Sequence, residues 1–392
     1  MARIVVCGYM IRLPLAGNVL AYFHYLMGLH LLGHDVVYLE ESGWPGSCYE
    51  PATQMHGDDP SFGIEMVSKV MADYGLKAPL CYINPDTGDV KGVAWDEVKR
   101  MLAAADLLLN IGGVCWLPEF RLCNSRIYID MDPLFTQVGR FGAESLHEHH
   151  VHFSYGVNIG KSGCTVPDNG VDWHATLPPV VPEMWDASIT NTENSWKGNL
   201  PFTTVANWNA YGSVTYEGER YGQKDEELLR LLHLPRHTSQ KLELSLSGVD
   251  DDQKRKFQKE GWLVRDAGHV SKDMKTYRDY IKESRGELSV AKNAYVKTRS
   301  GWFSDRSVCY LASGRPVIMQ DTGFSDYLEA GCGVLPFSSP DEAARCIDSV
   351  NAEYQYHSRS ARLMAENTFS YKILLPKIIE RGMERNRFLC HP

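Results

Sequence analysis

No apolar run in the 392-residue chain reaches the roughly 18–20 residues that a membrane span needs. The longest candidates, 101–114 and 127–138, are interrupted by Asp106, Asn110, Asp130 and Asp132. The opening MARIVVCGYM is too short in its apolar part for a signal peptide, so a cytoplasmic location is expected. The ten cysteines form no C-x-x-C pair, and neither a zinc finger nor a disulfide framework is supported. Long basic runs are also missing, and the net charge is -9. A protein that tracks a nucleic-acid backbone carries a basic stripe, so nucleic acid is not the expected partner. No strand leads into a clean G-x-G-x-x-G, which argues against a dinucleotide oxidoreductase. The run His147-Glu148-His149-His150-Val151-His152 lacks the helical H-E-x-x-H spacing of a zinc site, and no metal is expected there.

What is present is a repeated alternation of strand and helix. Arg3–Cys7 (RIVVC) reads as a strand, followed by a Gly/Pro-bearing loop to Asn18. Leu20, Phe23, Leu26, Met27 and Leu31 mark a helix that stops at Gly33, and VVYL begins the next strand at Val36. This is the βαβ unit of a parallel sheet, whose ligands sit at the carboxyl ends of strands. Helices are expected at 62–74 and 95–104, and strands at 107–111, 127–130 and 151–155. The segment 178–200, with Pro178, Pro179, Pro182 and a polar run from Ser188 to Asn199, reads as a connection between domains. The alternation then restarts at Thr203, with strands at 203–206, 241–246, 262–264, 288–291 and 316–319. Helices are expected between these strands, at 325–329 and 340–354, and finally at 371–387. The fold class is therefore α/β, as two Rossmann-like doubly wound domains facing a cleft. The boundaries are 1–184, a linker at 185–200, 201–370, and a segment 371–392 whose helix returns to the first domain.

Such sheets bind phosphate at helix N-termini, where backbone N–H groups and the positive end of the helix dipole converge. Ser300–Ser307 has the composition for this. Gly301 allows close backbone approach, Ser300 and Ser304 offer hydroxyls, and Ser304 or Asp305 caps the helix that starts near Arg306. Arg306 offers a planar fork to a diphosphate. The loop Gln320-Asp321-Thr322-Gly323 leaves the next strand at its carboxyl end, where Asp321 suits sugar hydroxyls. The same residues also read as an ordinary turn with Trp302 and Phe303 packed inside. Asn207 and Trp208 follow a strand at the head of the second domain, as a donor contact or, for Trp208, a core anchor. Lys292 lies after another strand, on the side of the nucleobase or ribose.

GW followed by a Ser, a helix, ASGRP and QDTG resembles the donor-binding box of nucleotide-sugar-dependent glycosyltransferases of the GT-B fold. LLGHDVVYL at 31–39 is similar to the G-H-x-V that ends their first helix. The resemblance implies a diphosphate held at 300–306 and a sugar at 321–323. It also implies a UDP- or dTDP-type donor, a small-molecule or glycan acceptor on the first domain, and no metal or other cofactor. Phe303 stands where the family's box has Asn, and the pair of glutamates of many retaining members is missing.

A base on the first domain must take the acceptor's proton. Asp130 and Asp132 follow the strand IYI and are the first candidates. The same pair also reads as a metal-binding D-x-D or as a capped turn. His152 is a further candidate lining the cleft. The loop 9–18, with Arg12, Gly17 and Asn18, is expected to shape the acceptor pocket, and by the resemblance His24 lies on that side. A helix histidine satisfied by its neighbours is the other reading of His24. The function expected is sugar transfer, with a nucleotide-sugar 2-epimerase or a non-catalytic nucleotide-sugar binder as alternatives.

Overall fold

The computed structural model describes residues 1–51, 53–139, 146–185 and 200–389, with side chains of the last helix to residue 384. Of the expected linker at 185–200, residues 186–199 lie outside the described residues.

Two parallel sheets form the frame. The first has eight strands in the order Trp173–Ala175, Val151–Ser154, Arg126–Asp130, Leu107–Ile111, Arg3–Cys7, Asp35–Glu41, Leu80–Ile83 and Val90–Gly92. Only the last pair is antiparallel. The second has six parallel strands in the order Leu263–Asp266, Leu242–Ser247, Phe202–Asn207, Gly286–Ser289, Val317–Gln320 and Val334–Phe337. In each sheet the first strand lies inside, and the chain winds outward first to one side and then to the other. This is the doubly wound order, and it opens a crevice between the two central strands at their carboxyl ends.

Strands such as RIVVC and LLLNI are almost continuously apolar, with Arg3 and Asn110 the exceptions, because helices cover both faces. The helix Ala16–Leu31 is buried along most of its length and ends, as expected, at Gly33. The final helix, Tyr371–Leu389, lies against it and against the first sheet, where the Ser125 hydroxyl donates to the Gly382 carbonyl at 2.9 Å. One buried apolar cluster continues from Ile4 and Phe23 of the first half to Trp302, Phe303 and Val317 of the second.

Several elements differ from the sequence reading. The segment 325–329 is not an α-helix; a single 3-10 turn covers Phe324–Asp326. Hairpin strands Cys48–Glu50 and Met55–Gly57, the strands Leu80–Ile83 and Val334–Phe337, and the helix Tyr354–Asn367 are additional. Short strands beside glycine and proline carry too few residues to show a period.

Candidate active site

The crevice of the second sheet lies between the carboxyl ends of Phe202–Asn207 and Gly286–Ser289. The segment after the first strand brings Tyr211 and Lys224, and the turn after the second brings Lys292. The eight-residue helix Asp305–Ala312 presents its N-terminus nearby, with the Ser304 hydroxyl accepting from Ser307 N–H at 3.4 Å as its cap. Lys224 is the first residue of the helix Lys224–Arg230 and is half-buried. None of the hydrogen bonds or ion pairs among the described residues engages its ammonium. Burial, with Arg306 and Lys292 close by, holds this ammonium well below the ordinary lysine range, although Asp305 and Glu287 oppose the shift. Burial also raises the Asp305 carboxyl. A half-buried cation next to two others is unfavourable alone and favourable once an anion arrives.

The expected fork does not point freely into this space. Arg306 is paired with the fully buried Glu287 at 2.5 Å and reaches Ser289 at 3.3 Å, so its guanidinium is largely spent on the sheet. The rest of the box is built as a junction. Gly301 adopts φ +76°, and a Cβ there would stand 2.8 Å from the Asn158 side chain. Its N–H donates to the Thr322 carbonyl, and the Thr322 hydroxyl returns to the Trp302 carbonyl at 2.6 Å. The Ser300 hydroxyl accepts from Trp302 N–H at 3.3 Å. Trp302 lies against Tyr295 at 4.7 Å and donates to the Met131 carbonyl of the first half. Phe303, where a polar side chain was expected from the resemblance, is fully buried between Phe324 and Phe369. The Asp321 carboxylate accepts from Gly323 N–H at 2.9 Å and the Ser325 hydroxyl at 2.8 Å, closing its own turn rather than presenting both oxygens to a sugar. Gly323 sits at φ +89°. Asn207 ends its strand exposed, whereas Trp208 packs edge-on to Phe257 at 5.9 Å as a core anchor.

Across the cleft, Asp132 is the acid that faces the second half. Its carboxylate is 41% exposed and meets the Lys292 ammonium and the Tyr295 hydroxyl. Lys292 also bonds the Tyr211 hydroxyl and lies over the rings of Tyr211, Phe135 and Tyr295. Asp130 does not share this position. It is fully buried and accepts from Asp132 N–H, Thr136, Gln137 and Ser154 at 2.5–3.0 Å. Burial raises its carboxyl in spite of these four donors. Asp130 therefore holds the turn that carries Asp132. His152 does not line the cleft: its Nε2–H donates to the Leu146 carbonyl at 2.8 Å and the ring packs between those of Tyr128 and Trp173. Burial lowers its pKa.

The residues expected at the acceptor are mostly internal supports. Arg12 is fully buried, paired with Glu40 at 3.2 Å and bonded to the Val114 carbonyl. Asn18 donates to the carbonyls of Tyr9 and Leu13, fixing the loop. Gly17 lies opposite the Tyr277 hydroxyl. His24 accepts from Val181 N–H at 3.2 Å, and burial lowers it to about 3, as fits a satisfied helix histidine.

Sequence reasoning missed Lys224, Tyr211, Tyr295 and Asn158. Asn158 bridges the halves, donating to the carbonyls of Arg299 and Gly323 while its N–H donates to Ser300. Lys224 alone had a sequence signal, as a cation at the start of a helix in a position that favours acids. Among the described residues no group of three or more His, Cys, Asp or Glu is arranged to hold a metal ion, and no helix is long and apolar enough to cross a membrane.

No protein-family model and no curated protein sequence matches the chain. Solved structures match it over nearly its whole length. AviGT4, a glycosyltransferase involved in avilamycin A biosynthesis, superimposes with a TM-score of 0.55 at 14% identity, covering 100% of this chain and 99% of that one. An α-glucosyltransferase in complex with UDP and a 13-mer DNA gives 0.60 at 10% identity, over 97% and 99%. Anabaena HepE in complex with UDP-glucose gives 0.55 at 10% identity, again over 97% and 99%. The chain has the GT-B fold of these glycosyltransferases.

Proposed function

We propose that this protein is a glycosyltransferase that moves a sugar from a UDP-type donor to an acceptor hydroxyl. The single observation that carries the reading is the Lys224 ammonium, which no hydrogen bond or ion pair among the described residues engages, set near Lys292 and Asp305 at the N-terminus of Asp305–Ala312, with Lys292 facing Asp132. A nucleoside diphosphate would give the Lys224 ammonium an anionic partner. As the glycosidic bond to phosphate breaks, charge grows on the diphosphate, and Lys224, Lys292 and the helix N-terminus stabilise it. These cations take the part of a divalent counter-ion. Asp132 receives the proton of the attacking acceptor hydroxyl, held in place by the buried Asp130. The second half, 201–370, is the donor side and the first, 1–184, the acceptor side. UDP is favoured because similar proteins are held in complex with UDP or UDP-glucose.

Calorimetry with UDP, followed by UDP release from UDP-glucose in the presence of acceptors, tests this. Saturable UDP binding that Lys224→Met weakens is expected. An epimerised sugar nucleotide formed from donor alone would replace transfer with 2-epimerisation, and binding without turnover over a broad acceptor panel would leave a binding protein.

A further inference from the structure

On the proposed acceptor side, the loop after Arg3–Cys7 meets the segment after Asp35–Glu41 at the carboxyl edge of the first sheet. The rings of Tyr9 and Trp44 stand 6.1 Å apart, and the Arg12 guanidinium lies 4.5 Å from the first and 5.3 Å from the second. Arg12 is consumed by Glu40 and by the carbonyls of Ser42 and Val114, so it stiffens the two rings and offers no charge to a ligand. Trp44 is nevertheless 49% exposed. Further apolar groups surround the same loop: Met55 is 67% and Phe62 39% exposed. Both are anchored to it, since Tyr49 N–H donates to the Arg12 carbonyl at 2.7 Å and a side chain on Gly63 would collide with the Ile11 carbonyl. Exposed, rigid aromatic surface at the ligand edge of a sheet is a stacking platform.

The charge around it selects the occupant. Residues 41–65 hold Glu41, Glu50, Asp58, Asp59 and Glu65 and neither Lys nor Arg. A polyanion meets an excess of acidic side chains there, with Lys91 of the strand Val90–Gly92 near Asp59. Size enters through the sheet: the strand leading to Trp44 is three places from the strand leading to Asp132. At about 4.8 Å per strand this is about 14 Å, more than one sugar ring spans.

We propose that Trp44, backed by Tyr9, is the distal platform of an acceptor subsite for an uncharged, elongated molecule. One apolar-faced, hydroxyl-bearing ring of that molecule stacks on Trp44 while another presents its hydroxyl to Asp132. This rests on the proposed transfer reaction and adds the class of acceptor.

The test titrates the full chain, and its Trp44→Ala and Trp44→Phe variants, with cellotriose as a sugar probe and resveratrol as a phenolic one. UDP affinity and the release of UDP from UDP-glucose into water are measured in parallel. At least one probe should bind the parent protein. Trp44→Ala should weaken it by about tenfold or more and Trp44→Phe by only about threefold. UDP affinity and hydrolysis should stay within about twofold in all three proteins, which also shows that the variants fold. The probe that binds names the ring. Binding of neither probe, equal binding by Trp44→Ala, or tight binding of a DNA duplex that Trp44→Ala leaves unchanged would overturn the subsite. Loss of UDP binding by the parent protein would instead count against the donor reading, which separates the two failures.

Discussion

The Lys292 ammonium and the Asp132 carboxylate, 160 positions apart, meet across the cleft as an ion pair. Each group carries a charge that the proposed reaction uses elsewhere, Lys292 on the diphosphate and Asp132 on the acceptor hydroxyl. The pair therefore bridges the two halves, and a bound diphosphate would compete for the lysine.

Substitution of either partner should separate these roles. Asp132→Asn is expected to lower turnover about a hundredfold with UDP affinity retained, the loss ordinarily seen when a general base is removed. Lys292→Met should raise the donor KM and lower kcat together. Unchanged turnover in Asp132→Asn, measured as UDP release with acceptor, would remove it as the base.

Lys224→Met should weaken UDP by at least about tenfold in calorimetry. The depressed lysine also gives a pH signature. In the free protein Lys224 loses its proton at lower pH than an ordinary lysine, so UDP affinity should fall as pH rises toward 10.5. The unfolded chain binds the extra proton in that window, so Lys224 lowers stability near neutrality and the cost fades as pH rises. The methionine variant should lose this pH dependence and be the more stable of the two at pH 7.

Asp130→Ala leaves Thr136, Gln137, Ser154 and the Asp132 N–H without their acceptor. Loss of about 3 kcal/mol is expected in urea unfolding, in the range for breaking a buried polar network. Asp130→Asn keeps the shape and should cost less, yet still lower turnover by shifting the Asp132 turn.

His24 is neutral in the folded protein down to about pH 3 and protonated below about pH 6.5 when unfolded. Between those values the unfolded state binds more protons, so this histidine's contribution to stability is lost as pH falls from 6.5. His24→Gln should flatten the decline in denaturant midpoint between pH 6.5 and 4. An equal slope in both proteins would contradict the buried neutral state.

The sequence by itself determined the alternation of strand and helix, the stop at Gly33, the cap at Ser304 and the two doubly wound sheets. These depend on residues within one or two turns or strands of one another, so they leave a local pattern. Tertiary structure decided which polar groups face the cleft. Asp130 and Asp132 are two residues apart and look alike in sequence, but the strand ends between them and only Asp132 stays accessible. Arg306 looks like a ligand for the diphosphate and Arg12 like part of the acceptor pocket until Glu287 and Glu40 are seen to take them. Lys224, by contrast, gains its role from the absence of such a partner among the described residues. Burial and pairing are set by where the two sheets bring distant segments together, and no spacing along the chain encodes that.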